Sequence, residues 1–251
     1  MAMELIIYVL FLSFLFEYID SSLGMGYGTT LTPVLLLIGY SPLQVVPAIL
    51  LSQFIAGITV GFFHHRFENV NFSLNSKHLK IALILSILGI IGTFIGVMVV
   101  IGIPSWILKV YIGTLVFLTG IVVLITRNKR FKFSWIKITF LALIASFNKG
   151  VSGGGYGPIV TSGQILSGIK EKNSIGITAF SEGIICLAGV LIYMSIKNTI
   201  DWSLAPSLII GATLSVPLSA FTVKVISSEK LRKIVGIMTI ALGLLTILKF
   251  V

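Results

Sequence analysis

The residues best suited to do chemistry in this chain are two copies of one glycine-rich motif. Gly24–Gly28 reads GMGYG, and 129 positions later Gly153–Gly157 reads GGGYG. Both copies interrupt strongly apolar sequence. Glycine permits positive φ and lets a ligand approach the backbone closely. Because paired breaks in apolar segments point to the binding site of a membrane transporter, we expect these two motifs to contact a substrate.

Ionisable and amide side chains accompany the two motifs at matching positions. Asp20 precedes the first motif where Lys149 precedes the second, and Gln53 corresponds to Glu182. Ionisable residues within membrane spans are functional candidates by default. Lys149 could favour a bound anion, or it could pair with Asp20 or Glu182 and only brace the fold. Asp20, Gln53 and Glu182 are the candidates for coupling transport to a proton, whereas Glu17 could face water at the tip.

The segments that follow the motifs, 29–39 and 158–168, are expected to begin as helix N-termini. The free N–H groups and the dipole at such a terminus favour an anion. The tyrosine of each motif could donate a hydrogen bond to a substrate oxygen, or could support the break as an aromatic wedge. The expected substrate-binding residues are Gly24, Gly26, Tyr27, Gly28, Thr29, Lys149, Ser152, Gly153, Gly154, Gly155, Tyr156 and Gly157.

The composition indicates which kind of protein positions these residues. Hydrophobic residues make up 56% of the chain and charged residues 10%, with a mean hydropathy of +1.08. A soluble domain carries about 25% charged residues, so the pattern predicts an all-α polytopic membrane protein. The net charge of +10 is explained by membrane topology, since cytoplasmic loops collect Lys and Arg. It therefore does not predict a nucleic-acid partner.

Ten apolar runs divide the chain into two similar halves. They lie at about 5–20, 25–39, 44–63, 80–103, 105–126, 134–148, 155–169, 173–195, 202–223 and 231–250. A full crossing needs about 20 residues. The first, second, sixth and seventh runs are shorter, and they form two pairs that meet at the glycine motifs. Each half is therefore predicted to contain a glycine-tipped hairpin of short or broken helices, followed by three full transmembrane helices.

The distribution of basic residues predicts the topology. With the basic segment 127–137 placed in the cytoplasm, 14 of the 18 Lys and Arg residues fall on that side and three fall outside. Both termini are then outside. The repeats, 1–126 and 138–251, are inverted relative to each other and joined by the linker 127–137. If both hairpins turn back inside the membrane, their tips meet near its midplane.

Several other chemistries lack the residues they need. His64, His65 and His78 lie in or beside a basic loop without convincing metal-ligand spacing, so we expect surface positions and no metal. An intramembrane serine protease built on Ser152 would need a base, and we expect no histidine within a span. The chain has no G-x-x-x-x-G-K-[ST] phosphate loop. We therefore expect no cofactor and no enzymatic activity.

The chain resembles the TauE/SafE family, also called the toluene-sulfonate uptake permease family. The resemblance rests on the two motifs together with Thr32-Pro33, Gly39, Pro42, Val46-Pro47-Ala48, Ser152 and Gly168, and it covers essentially the whole chain. It implies transport of sulfur-containing anions such as sulfite, thiosulfate or organosulfonates. The second repeat departs from the pattern, because Ser162, Glu171 and Gly176 stand where the first repeat has prolines.

These observations together predict a multi-pass secondary transporter in the cell membrane, and an exporter in particular. Its partners would be a small anionic substrate, the lipid bilayer and a coupling proton or cation, and the sequence also allows a homodimer. Two alternatives stay open. One is a passive anion channel, and the other is a non-catalytic membrane subunit of a larger assembly.

Overall fold

The computed structural model of the chain describes residues 2–126, 134–197, 200–225 and 229–250. The described residues form ten α-helices and no strand. In chain order the helices are α1 (Ala2–Leu23), α2 (Tyr27–Ile38), α3 (Pro42–Arg66), α4 (Lys77–Ile101), α5 (Ser105–Thr126), α6 (Trp135–Ser152), α7 (Tyr156–Leu166), α8 (Glu171–Lys197), α9 (Ala205–Val225) and α10 (Glu229–Phe250). The all-helical prediction is confirmed. Most of the predicted linker, residues 127–133, lies outside the described residues.

The two glycine motifs break the helices as predicted. Helix α1 ends at Leu23 and α2 begins at Tyr27, while α6 ends at Ser152 and α7 begins at Tyr156. Helices α2 and α7 are short, at 12 and 11 residues. Each motif therefore joins a longer helix to a short one, and the short helix starts at the tyrosine.

Helix α1 is longer than the apolar run that predicts it. It has 22 residues and is one of six helices in the described chain that are long and apolar enough to cross a membrane. The predicted short run stopped at residue 20 because polar residues follow there. Ser21 and Ser22 are nevertheless buried within α1, and the Ser21 hydroxyl donates to Oε1 of Glu17 (2.6 Å). The other five candidate spans are α3, α4, α5, α8 and α9.

The helices of the two halves pack against each other. The most extensive contacts pair α1 with α9, α4 with α6, α3 with α8, and α5 with α10. Small residues let the backbones approach, as is common between membrane helices. A Cβ on Gly57 of α3 would lie 2.8 Å from the carbonyl oxygen of Ala179 in α8. A Cβ on Gly92 of α4 would lie 2.5 Å from the carbonyl oxygen of Leu143 in α6.

Polar contacts between loops and helix ends mark the two ends of the bundle. At one end, Gln44 at the start of α3 donates to Asp201 (3.0 Å), next to α9. At the other end, Asn173 at the start of α8 donates to the carbonyl of Asn69 (2.8 Å) in the α3–α4 loop. We call the second end the basic end, since Arg66, Lys77, Lys170, Lys172 and Lys224 lie there. It is the end that the charge distribution predicts to be cytoplasmic.

Candidate functional site

The backbones of the two glycine tips touch each other. A Cβ on Gly28 would strike the carbonyl oxygen of Gly153. A Cβ on Gly154 would lie 2.6 Å from the carbonyl carbon of Gly28, and one on Gly157 would lie 3.0 Å from Cα of Met25. Only residues without a side chain fit at these positions. The requirement for glycine therefore comes from the opposite tip.

The turn geometry supplies a second reason for glycine. Gly24 and Gly153, the first residues of the two motifs, have φ of +69° and +70°. Gly26 and Gly155, which immediately precede the short helices, have φ of +139° and +82°. L-residues with a side chain adopt such values at a cost. The two turns thus have positive φ at the same two positions of the motif, with nearly equal values at the first.

Asp20 faces the N-terminus of α2. Its Oδ1 accepts the main-chain N–H of Tyr27 (3.2 Å), and its Oδ2 accepts a hydrogen bond from Nε2 of Gln53 (3.4 Å). The side chain is only 6% exposed. A carboxylate at a helix N-terminus is stabilised by the N–H groups and the dipole there. In this conformation Asp20 occupies the position at which the sequence predicted an anion.

Lys149 lies between two side chains that the sequence aligned with each other. Its ammonium donates to Oε1 of Glu182 (2.7 Å) and to Oε1 of Gln53. Lys149 is fully buried and Glu182 nearly so. Asp20, Gln53, Lys149 and Glu182 therefore form one continuous hydrogen-bonded row, which we call the central cluster. Of the two ion pairs that the sequence left open for Lys149, with Asp20 or with Glu182, the structure shows the pair with Glu182.

The remaining predicted residues pack around the tips. The hydroxyl of Tyr27 bonds to Ser52 (2.6 Å), and that of Tyr156 bonds to Ser181 (2.9 Å). These two pairs are related by the same 129-residue offset as the motifs. Both tyrosines are fully buried, which favours the interpretation that they support the helix breaks as aromatic wedges. Their hydroxyls are already bonded to protein.

Other hydrogen bonds join one tip to the other or stabilise a single turn. The hydroxyl of Thr29 accepts the N–H of Gly155 (3.1 Å), so α2 helps to hold the second turn. Ser152 donates to the carbonyl of Asn148 (2.7 Å) and accepts the N–H of Gly154 (3.1 Å). In α2, the hydroxyl of Thr32 is fully buried and has no hydrogen-bond partner among the described residues.

The predicted surface position of His64 is wrong. His64 lies in α3, which is a candidate span, and it is 0% exposed. Its Nε2 is 3.0 Å from the carbonyl oxygen of Ser21 in α1. The expectation that no span contains a histidine is therefore also wrong. The error arose because α3 continues through His64 and His65 after its apolar run has ended.

The expectation that Glu17 could face water is also wrong. Glu17 is 2% exposed, and its Oε1 accepts a hydrogen bond from the hydroxyl of Ser21 (2.6 Å). The described residues thus bury three carboxylates, on Glu17, Asp20 and Glu182, and one ammonium, on Lys149. Burial makes unpaired charge costly. The region beside the tips therefore carries an excess of acidic groups.

A comparison with known protein families identifies the family of the chain. The sequence profile described as "Sulfite exporter TauE/SafE" matches residues 9–246. The chain belongs to the TauE/SafE family. The match covers nearly the whole chain, so both glycine tips, α2 to α9 and most of α1 and α10 fall within the family's region.

A similar curated protein is described as a probable transporter. This TauE/SafE chain is 28% identical over 247 residues to the "Probable membrane transporter protein YtnM" of Bacillus subtilis (strain 168), covering 93% of this chain and 80% of that protein. No solved structure matches the chain. The protein is thus a multi-pass membrane transporter and not an enzyme, as the sequence predicted.

Proposed function

We propose that this TauE/SafE protein is a secondary transporter of a small sulfur-containing anion, bound between the two glycine tips. The substrate class follows from the family description, which names sulfite. The location of the binding site is inferred from one observation, the direct contact between the two tips. Asp20 and Lys149 lie in the last turns of α1 and α6, the helices that lead into the tips. Two helix N-termini and one ammonium converge there, and both kinds of group favour an anion.

The tips belong, in this proposal, to two inverted repeats. Adding 129 to the residue numbers relates α1 to α6, α2 to α7, α3 to α8, α4 to α9 and α5 to α10. The helix pairing is consistent with this exchange, because α1 packs on α9 as α6 packs on α4, and α3 packs on α9 as α8 packs on α4. The pairs α3–α8 and α5–α10 map onto themselves. A two-fold axis in the membrane plane would produce such a pattern.

Anion binding would require the central cluster to rearrange. Asp20 now accepts the N–H of Tyr27 at the start of α2, so an incoming anion competes with this carboxylate. Lys149 now donates to Gln53 and Glu182, and it can direct a third N–H to a ligand. The anion would therefore displace Asp20 from the α2 terminus and share Lys149 with Glu182.

Charge balance supports coupling to protons. Adding an anion to three buried carboxylates and one ammonium would increase an already unfavourable charge excess. A proton taken up by Asp20 removes one negative charge and weakens its hold on the α2 N–H group. Asp20 would thus release the site when it is protonated and reoccupy it when it is ionised. Glu182 is the second candidate for taking up the coupling proton, since Glu182 and Gln53 both accept hydrogen bonds from the Lys149 ammonium.

Transport would then proceed by separation of the tips on one side at a time. Their backbones are in contact, so an anion cannot pass between them in this conformation. Rocking of one repeat against the other would open the site to each side alternately. A passive channel would instead need a continuous path, with no cycle of opening and closing.

Counterflow tests this function. The purified protein is reconstituted into liposomes loaded with unlabelled sulfite, thiosulfate, ethanesulfonate or acetate, and the entry of the same radiolabelled anion is followed. The proposal predicts transient accumulation of at least one sulfur anion above its equilibrium level and none of acetate. With the membrane potential clamped at zero by equal potassium and valinomycin, a channel would equilibrate the label without overshoot. No uptake of any of the sulfur anions would contradict the proposal.

A further inference from the structure

A buried polar group lies where the first glycine tip meets α7 and α8, and the proposed anion site does not use it. The hydroxyl of Thr161 in α7 donates to the carbonyl of Gly24 (2.7 Å) and contacts the hydroxyl of Thr178 in α8 (2.9 Å). Thr178 also accepts a hydrogen bond from Nε2 of Gln164 (2.8 Å). These three side chains are at most 1% exposed. We call them, together with the Gly24 carbonyl, the oxygen cluster.

One oxygen of this cluster has no partner. Oε1 of Gln164 is buried and makes no hydrogen bond among the described residues. An amide oxygen can only accept, so it attracts a hydrogen-bond donor or a cation and repels an anion. Burying an acceptor without a partner is costly. The unpartnered atom therefore favours a positively charged ligand at this place.

The first repeat shows that the fold can be built without such a group. Subtracting 129 from the residue numbers relates Gln164 to Leu35 and Thr178 to Ile49. Both of these residues are apolar and fully buried. The corresponding positions of α2 and α3 thus pack with aliphatic side chains alone. Support of the helix break therefore does not explain why α7 and α8 carry an amide and a hydroxyl there.

The end of α1 adds to the preference for a cation. Gly24 directly follows α1, and the last carbonyls of a helix carry the negative end of its dipole. The N–H of Gly24 donates to the carbonyl of Asp20 (2.6 Å), so the cluster begins one helical turn from that residue. Carbonyls at the ends of broken helices coordinate coupling cations in other transporter folds. The cluster oxygens are all neutral, which suits a single positive charge better than a double one.

The cluster connects the two repeats at the point where their tips touch. Its carbonyl belongs to the first tip, and its three side chains belong to α7 and α8. The second tip lies against the same carbonyl, since a Cβ on Gly157 would be 2.5 Å from the Gly24 oxygen. These oxygens can therefore surround one ion only while the tips are together. An ion bound there stabilises that conformation, because it has no such site when the tips separate.

We propose that the oxygen cluster binds a sodium ion whose binding is coupled to that of the transported anion. The coupling rests on the proposed function, whereas sodium binding itself does not. The ligands are the Gly24 carbonyl, the hydroxyls of Thr161 and Thr178, and Oε1 of Gln164. The Gln164 amide turns over so that Oε1 instead of Nε2 faces Thr178. The positive charge offsets the anion beside the three buried carboxylates, as does the proton on Asp20.

Thermal unfolding tests the sodium site. The purified full-length protein is unfolded in sodium chloride or in choline chloride at the same concentration. Sodium should raise the melting temperature by at least about 3 °C, and Gln164→Leu and Thr178→Val should each lose this rise. Leucine stands at the corresponding position of the first repeat, and valine has the shape of threonine without its hydroxyl. Thr119→Val is the matched control, since Thr119 is buried and donates to Leu115 of its own helix (2.7 Å).

Thiosulfate affinity, measured by calorimetry in the same two salts, tests the coupling. Sodium should raise this affinity at least about fivefold. The two cluster variants should lose the increase, and the control variant should keep it. A melting temperature that responds to sodium together with a thiosulfate affinity that does not would overturn the coupling.

Two results would overturn the sodium site itself. One is a melting temperature that is equal in sodium and choline for the unsubstituted protein, and the other is an undiminished sodium effect in both cluster variants. If Thr178→Val does not fold, Gln164→Leu decides alone. If the protein binds no thiosulfate but the cluster variants lose the sodium effect, the sodium site stands and the proposed function fails for this anion.

Discussion

Asp20 and Lys149 occupy corresponding positions before the two glycine tips, and both are hydrogen-bonded to Gln53. The amide of Gln53 donates to Asp20 (3.4 Å) and accepts from Lys149. One neutral side chain thus joins an acid from the first half to a base from the second half. A change of charge at either residue is felt by the other through Gln53, and this connection underlies the first two predictions.

Lys149→Gln should weaken anion binding and lower stability. Loss of a charge-assisted hydrogen bond costs about 1.5–3 kcal/mol, or roughly a tenfold to hundredfold loss in affinity. The substitution also leaves Glu182 without its ion pair, so the melting temperature should fall. Adding Glu182→Gln should restore much of the melting temperature but not the affinity. Calorimetric anion binding and thermal unfolding of the single and double variants test this. Unchanged anion affinity in Lys149→Gln, together with a melting temperature restored by adding Glu182→Gln, would show that Lys149 only stabilises the fold.

Asp20→Asn should strengthen anion binding and make it less dependent on pH. Asparagine keeps an oxygen that can accept the Tyr27 N–H but removes the charge that competes with the anion. Thiosulfate affinity is measured at mildly acidic and mildly alkaline pH. In the unsubstituted protein it should be weaker at alkaline pH, where Asp20 is ionised, and the variant should lose most of this difference. An equally large pH effect in the variant would show that another group carries the proton.

Gly28→Ala or Gly154→Ala should abolish transport, because each new methyl group would collide with the backbone of the opposite tip. Gly102→Ala is the matched control, since a Cβ there meets no atom within 4 Å and the residue has an ordinary φ of −92°. Uptake into liposomes and the amount of folded protein are measured for all three variants. Normal uptake by both tip variants would contradict the close contact between the tips.

The predicted topology can be tested with single cysteines. Cys186 is buried and free, so Cys186→Ser gives a background without a native thiol. A cysteine placed in segment 127–137 should react with an impermeant thiol reagent only from the cytoplasmic side, because that segment is strongly basic. A cysteine at Gly102 should react only from outside. The reverse labelling pattern would show that the charge bias misassigns the sides.

Much of the fold could be predicted because apolar runs and glycine breaks leave clear signals in the sequence. Helices α2 and α7 begin at the tyrosines of the two motifs. The 129-residue offset aligns Asp20 with Lys149 and Gln53 with Glu182, and these four residues lie together in the bundle. A repeated motif records a repeated backbone conformation. The role of its glycines in the turn could therefore be recognised from the sequence without a structure.

The burial of Glu17 and His64 could not be predicted in the same way. Glu17 and His64 have no carboxylate or imidazole counterparts 129 residues away, where Ser146 and Tyr193 stand. They lie at the ends of apolar runs, where a change in composition also suits a loop. Their burial depends on α1, α3 and α8 packing together, which is a tertiary property. The one available signal was that His64 directly follows Phe63, the last residue of the apolar run, so that a helix only one residue longer than this run includes it.

The position of a bound anion tests the central claim most directly. Crystals of the purified protein grown with selenite, the selenium analogue of sulfite, would locate the anion by anomalous diffraction. The account predicts a selenium peak between Gly24–Gly28 and Gly153–Gly157, within hydrogen-bonding distance of Lys149 Nζ and the first N–H groups of α2. A peak found only in the cavity at the basic end, lined by His65 and Lys170, would contradict it.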